Sequence, residues 1–310
     1  MSPYPFRQFL RAGGERLSFS LSLFIFIALL LSGCSPAPSS ANAPADTPFE
    51  TIENKGSDTM VNLALAWAEA YMAQNPQVRI SVTGGGSGTG IAALINGTVD
   101  IANASRAIKP EELEEAHAKG VEAVEIAVAQ DAIAVVVNPA NPVDRLTMPQ
   151  ISAIYTGQIT NWQEVGGEDR PIVLLSRESN SGTYVFFLEE VIRQGDSDSD
   201  LLFSPDTLLL PSSEGISAEI RQNPNAVGYD GLGYVTPDQK TLAVAVSPDS
   251  PAVKPSIATV VDGSYPISRP LFMYTPGPPT GAVKTYLDWI MTAGQQQVKE
   301  LGFVPLASTD

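Results

Sequence analysis

The sequence predicts an α/β fold, a mostly parallel sheet with helices on both faces, and three observations carry that expectation. Short apolar runs alternate with segments of helical spacing from residue 51 onward, in the order βαβαβ. Clusters of Ser, Thr and Gly stand between three strand candidates and the helices after them, where open α/β sheets bind ligands. The chain has 310 residues, 44% of them hydrophobic, which suffices for a sizeable core and suggests about two domains.

The first segment is an export signal. Arg7, Arg11 and Arg16 precede an apolar run over 17–31. Such a pairing of basic and apolar stretches is a secretory signal, and the run falls short of the roughly 20 residues a spanning helix needs. It ends in Leu31-Ser32-Gly33-Cys34, which resembles a bacterial lipobox: 1–33 is cleaved and Cys34, the only cysteine, is lipidated. Residues 34–49 are rich in Pro, Ala and Ser and read as a flexible linker. The expected location is outside the cytoplasm, on a bacterial membrane through the lipid, facing the periplasm or cell exterior.

Beyond the linker, 51–54 is a short strand candidate. Residues 59–74 carry Met60, Leu63, Trp67 and Tyr71 on one helical face. Strand 78–82, helix 90–96, strand 99–102 and a polar helix over 111–119 follow. Within 124–137 the run DAIAVVVN has the continuous apolarity of a buried strand. Two prolines, Pro139 and Pro142, then break the chain. Helix 149–154, strand 172–175, helix 183–193 and helix 214–222 come next. A Gly-rich strand pair over 226–236, strand 241–246, the apolar strand LFMYT, helix 281–293 and a short final helix complete the chain.

Composition narrows the function. Eighteen Lys and Arg against thirty-four Asp and Glu give −16, which disfavours a nucleic-acid partner. One histidine, His117, and one cysteine leave no multi-histidine or cysteine-based metal site and no intrachain disulfide. No cofactor is expected.

The three clusters are Lys55-Gly56-Ser57-Asp58-Thr59, Thr83 to Gly90 (TGGGSGTG), and Arg177-Glu178-Ser179-Asn180-Ser181-Gly182-Thr183. Helix N-termini present unpaired N–H groups and a partial positive charge. Glycine admits close approach, and hydroxyls add donors. That combination holds phosphate or sulfate without net positive charge. One such cluster is ordinarily a helix cap; three in one chain point to an anion. The glycine run has no following Lys, so it is not a Walker A loop, and it fits neither GxGxxG nor GxSxG. Arg106 and Arg177 both sit at predicted C-terminal strand ends, where two guanidiniums could converge on one anion.

The segments 56–71, 82–106, 131–139, 154–162 and 176–187 together resemble the substrate-binding proteins of Pst-type phosphate ABC importers. The resemblance spans about 51–310 and implies a two-lobed type II periplasmic-binding-protein fold. Two strand crossovers join the lobes, and phosphate binds between them. Lobe I would be 50–137 plus 270–310, and lobe II 138–269. Carried over by motif, Thr59, the Met60 N–H, Ser87, Arg177, Ser181, Gly182 and Thr183 would contact phosphate. One departure stands out: after Ser105 the best-known branch has a proton-accepting Asp, where this chain has Arg106. Asp131 is the first candidate substitute and Asp58 the second. The resemblance further implies a monomer that is not an enzyme and that partners the permease and ATPase subunits of an importer. The rival readings are a receptor for another tetrahedral oxyanion, a sensor or adhesin without transport, and a phosphatase.

Overall fold

The computed structural model describes residues 49–306; the signal segment, Cys34 and the linker up to residue 48 lie outside the described residues. β1 (Glu50–Gly56) passes through a 3-10 turn (Asp58–Met60) into α1 (Val61–Gln74). α1 is Ala- and Leu-rich, lacks Gly and Pro, and stops before Pro76; its inner face is Leu63, Ala64, Trp67, Ala68 and Tyr71. β2 (Val78–Thr83) leads to α2 (Ser87–Ile95), and β3 (Ile101–Ala104) to α3 (Pro110–Ala118). β4 (Val124–Val137) is 14 residues long. β5 (Arg145–Thr147) runs into α4 (Met148–Tyr155), whose start is set by the Thr147–Gln150 capping box. β6 (Val173–Arg177) precedes α5 (Gly182–Phe186), which continues as a π-helical stretch over Phe187–Ile192. β7 (Leu208–Leu210), α6 (Ser213–Gln222), β8 (Ala226–Gly231), β9 (Lys240–Thr241) and β10 (Ala243–Ala245) follow. α7 (Ile257–Val261), β11 (Ser268–Thr275), α8 (Gly281–Ile290) and α9 (Gln295–Glu300) end the described chain. Among the described residues, no helix is long and apolar enough to cross a membrane.

Nine strands join one curled sheet in the order β2-β1-β3-β11-β4-β8-β6-β7, with β9 also on β4. β1, β2 and β3 pair parallel, as do β6, β7 and β8. The centre departs from the expected parallel sheet: β11 is antiparallel to β3 and β4, and β4 is antiparallel to β8. The reason is continuity. β4 runs straight from one half of the molecule into the other, and β11 returns beside it, so neither is joined by a right-handed crossover helix.

Each half has its own core. Trp67, Tyr71, Ile80, Met273 and Tyr286 pack on one face of the first half, and Ile91, Leu94 and Tyr274 on the other. The second half packs Tyr155, Trp162, Phe187 and Tyr229 on one face and Ile216 and Ile220 on the other. Along β4 the membership changes between Ala129 and Ala132; beside β11 it changes between Ile267 and Leu271. Residues 133–137, read from the sequence with the first half, pair with β8 and pack in the second.

Local departures have tertiary causes. The expected strand pair over 226–236 is one strand and a 3-10 turn (Leu232–Tyr234), because the Leu232 N–H donates to Asp131 instead of a ladder. The strand expected over 241–246 splits at Leu242, whose N–H bonds Val135 while its side chain is buried, placing β9 and β10 in different sheets. The helix expected over 183–193 widens to π geometry where Phe187 stacks on Tyr229 at 3.7 Å.

Gly56 ends β1 with φ +147°, and a Cβ there would lie 2.1 Å from the Asn103 carbonyl oxygen. Gly56→Ala should therefore destabilise the fold by about 1–3 kcal/mol or more. Urea denaturation followed by circular dichroism should show a lower midpoint; an unchanged midpoint would contradict this packing.

Candidate anion-binding site

Three parallel strands of the first half, β1, β2 and β3, and β6 of the second, which runs the opposite way, bring their C-terminal ends to one place. β1 delivers Ser57, Asp58 and Thr59, β2 delivers the glycine loop and Ser87, β3 delivers Ser105 and Arg106, and β6 delivers Arg177 and the loop to Thr183. The first three belong to one half and the fourth to the other.

The hydroxyls of Ser57, Thr59, Ser87, Ser105, Ser181 and Thr183 are all buried. Ser57 Oγ donates to Ser105 Oγ at 2.9 Å, Ser87 and Ser105 hydroxyls lie 3.3 Å apart, and the Ser105 N–H donates to Ser87 Oγ at 3.0 Å. The Thr59 and Thr183 hydroxyls meet at 2.7 Å across the two halves. Ser181 caps α5, accepting from the Thr183 N–H at 3.2 Å. A Cβ on Gly182 would stand 2.3 Å from Ser87 Oγ and 2.6 Å from Ser105 Oγ, so glycine is what lets the halves meet here. The Gly86 loop does the same at φ +89°, where a Cβ would lie 2.7 Å from the Asn180 carbonyl oxygen. Asn180 Nδ2 donates to the Gly85 carbonyl, and the Gly88 N–H donates to the Asn180 carbonyl.

Three buried guanidiniums surround the cluster, each paired with a carboxylate. Arg177 Nη2 donates to Asp58 Oδ2 at 2.8 Å and to the Pro211 carbonyl, while Nη1 donates to Ser213 Oγ at 3.1 Å. Asp58 also accepts from the Gly85 N–H at 2.9 Å. Arg269 Nη2 donates to Asp131 Oδ2 at 3.1 Å and to Thr183 Oγ1 at 2.9 Å, with Thr59 Oγ1 at 3.4 Å; Nη1 donates to the Ser105 carbonyl at 2.8 Å. Arg106 makes a two-pronged pair with Glu112, at 2.8 and 2.6 Å. That partner, with the Lys109 N–H, holds the Glu112 carboxyl below its usual range although burial opposes it. Burial pushes the Asp131 carboxyl up, and Arg269 pulls against that rise.

Of the residues anticipated from sequence, the structure brings together Thr59, Ser87, Ser105, Asp131, Arg177, Ser181, Gly182 and Thr183. Arg106 stands beside them, but its guanidinium is spent on Glu112 and the Ala107 carbonyl. The Met60 N–H, expected as a free donor, bonds the Ser57 carbonyl at 3.0 Å, and the Met60 side chain lies in the first core. Asp58 and Asp131, both considered as proton acceptors, each hold an arginine. Sequence reasoning missed Arg269, Ser213 and Asp230. Ser-Arg-Pro before an apolar strand carries no motif signal; only the scarcity of basic residues pointed there. His117, the sole histidine, is exposed on α3, far from a nucleophile's needs.

Such an arrangement is suited to holding an oxyanion: hydroxyls that bond one another can swing to an incoming one, and carboxylates fix each guanidinium's direction. Among the described residues, no group of three His, Cys, Asp or Glu is placed to hold a metal. A cavity of about 380 Å³ opens beside the cluster, lined by Arg106, Arg269, Phe186 and Phe272. One of about 590 Å³ lies in the second half around Pro142, Arg145 and Gln150, without comparable convergence of buried polar groups, so volume does not locate the site.

The chain is similar to known proteins along most of its length. The PBP superfamily domain matches residues 39–293. The chain is 33% identical over 273 residues to the phosphate-binding protein PstS of Pseudomonas aeruginosa, covering 82% of this chain and 83% of that one. It is 34% identical over 253 residues to PstS of Bacillus subtilis, covering 81% and 79%. Among solved structures, a phosphate ABC transporter substrate-binding protein from Clostridium perfringens, described with bound phosphate, superposes with a TM-score of 0.75. That match has 31% identity and covers 83% of this chain and all of that one. The two α/β halves joined by β4 and β11 form the type II periplasmic-binding-protein fold. The chain belongs to the PstS family of the PBP superfamily.

Proposed function

We propose that this protein is an extracytoplasmic receptor that binds inorganic phosphate between its two lobes and delivers it to an ABC importer. One observation carries the reading: six buried hydroxyls from both halves converge with two guanidiniums, Arg177 and Arg269, at the ends of four strands. The relatives' names as phosphate-binding proteins, and the bound phosphate described for the Clostridium perfringens structure, support the same ligand.

In this reading the phosphate contacts are Thr59, Ser87, Ser105, Arg177, Ser181, Gly182 and Thr183. Arg269 is added to them, and Arg106, Met60 and Asp131 support the shell. The moving bodies follow the halves read from the sequence, 50–137 with 270–310 and 138–269, with one shift of boundary. Bending falls at 130–132 and 268–270, so 133–137 travel with the second body. Opening separates Thr59 from Thr183, Asp58 from Arg177, and Gly85 from Asn180. Phosphate then gives both lobes a shared set of acceptors, and the closed form is selected by its higher affinity. Permease and ATPase subunits would read the closed form. The protein works as a monomer and carries out no chemistry on its ligand. Cleavage before Cys34 and lipidation there would hold it at the membrane; more than one acyl chain is needed for a stable anchor.

A second reading, a receptor for a sulfate-like oxyanion, is favoured by one observation. Asp58 and Asp131, the carboxylates nearest the hydroxyls, are both committed to arginines, and an acceptor for the ligand's proton is what separates hydrogen phosphate from sulfate.

Calorimetric titration of refolded, ligand-stripped protein should show tight phosphate binding and none of sulfate; equal binding of both would favour the second reading. In the same assay Arg177→Ala should lose about 1.5–3 kcal/mol, roughly 10- to 150-fold in affinity; unchanged affinity would remove Arg177 from the site. Gly182→Ala, whose methyl would collide with Ser87 and Ser105, should keep its circular dichroism spectrum but fail to compact when phosphate is added, as read by small-angle scattering. Compaction equal to the parent's would refute the role of Gly182 in closure. Expressed with its own leader in a bacterium, Cys34→Ser should lose incorporation of labelled fatty acid, while retained labelling would place the lipid elsewhere.

A further inference from the structure

Asp230 is the penultimate residue of β8, close to Arg177, and nothing in the phosphate reading accounts for it. It is 1% exposed. Its Oδ1 accepts from the Gly231 N–H at 2.9 Å, while Oδ2 is buried with no hydrogen-bond partner. A buried carboxylate with one oxygen unbonded and only the Ser213 hydroxyl facing it is costly to ionise, and the cost is relieved by a proton on the carboxyl itself. The charged and titratable groups around it are Arg177 on β6, Asp131 on β4, Arg269 on β11 and Tyr234 in the turn after β8, with the exposed Glu214 of α6 beyond Tyr234. Ser213, at the start of α6, accepts from Arg177 Nη1 and lies beside the Asp230 carboxyl.

We infer that Asp230 is a positioning residue that acts on the anion through Arg177 and ties anion binding to the uptake of a proton. This rests on the phosphate reading above. The balance of charge gives the mechanism. With Asp230 ionised, three carboxylates (Asp58, Asp131 and Asp230) face two guanidiniums (Arg177 and Arg269). With Asp230 protonated, two face two, and Arg177 has one fewer anionic competitor for its field. An arriving oxyanion adds negative charge at Arg177, so it raises the proton affinity of Asp230 and a proton enters from solvent. Burial already pushes this carboxyl up to about 7, against the pull of Ser213 and Arg177, and Asp131 adds to the rise. Uptake therefore falls in the neutral range. The sign follows: a site that gains a proton on binding loses affinity as pH rises through and above that range.

The test is calorimetric titration with inorganic phosphate, for the parent and Asp230→Asn, from about pH 6 to about pH 8.5, in buffers of different ionisation enthalpy. The ligand's own ionisation is common to both proteins and cancels in the ratio of their affinities. The parent's affinity relative to Asp230→Asn should fall as pH rises, approaching about tenfold per pH unit at the alkaline end. The buffer dependence should show proton uptake in the parent beyond that of the variant. Parallel profiles with equal uptake would overturn the role of Asp230 and leave the phosphate reading standing. No phosphate binding by the parent at any pH would overturn the phosphate reading, and this inference with it. Should Asp230→Asn fail to fold, carboxyl carbon NMR of the parent decides: the Asp230 titration midpoint should rise when phosphate is added, and an unmoved midpoint refutes the inference.

Discussion

The ion pair between Asp131 and Arg269 sits where everything else in the molecule meets. These residues lie directly opposite each other in the β4–β11 ladder, at the point where both strands pass between the two cores. Their side chains are 0% and 1% exposed. Taking two charges out of water is expensive, and further hydrogen bonds offset part of that cost. Here Asp131 also accepts from the Leu232 N–H, and Arg269 donates to the Ser105 carbonyl and the Thr183 hydroxyl, leaving its buried Nε without a partner. The crossing strands, the first half's hydroxyl loops and the second half's α5 are thereby tied to one guanidinium. A relative movement of the halves must change what Arg269 touches.

The same economy of charge governs the rest of the site. The chain is strongly acidic, at −16, yet the candidate site gathers a few buried arginines and a ring of hydroxyls. Each guanidinium is oriented by a carboxylate: Arg177 by Asp58, Arg106 by Glu112 and Arg269 by Asp131. Such pairing weakens the attraction of any one cation for a ligand but removes the freedom it would lose on binding. It also spends Arg106 locally, which explains how a cation can follow Ser105, where the related branch has an acceptor, without adding a third free charge to the site.

Much of this was legible in the sequence. Buried strands announce themselves by continuous apolarity, as in 131–138, and α1 by its face of Leu63, Trp67 and Tyr71. The hydroxyl loops were visible because glycine and hydroxyl residues cluster before helices for reasons of backbone chemistry that act over a few residues. The direction of the central strands was not visible, since a 14-residue strand serving two cores looks locally like any other strand. Short edge elements such as β7 and α7 were missed for lack of period, and β9 and β10 were fused because only the burial of Leu242 bends the chain between them.

By itself, then, the sequence determined the α/β alternation and the three hydroxyl-bearing loops, and it singled out Arg177 as a candidate, all from local propensity and from side chains that act where they stand. Only the tertiary structure decided which charges meet. Arg269 is distant in sequence from Thr59 and Asp131, Asp230 from Arg177, and Asp58 from the arginine it holds. No periodicity encodes such pairings. They arise because two antiparallel crossing strands and four converging strand ends bring remote residues into one buried space, where an unpaired charge would be costly.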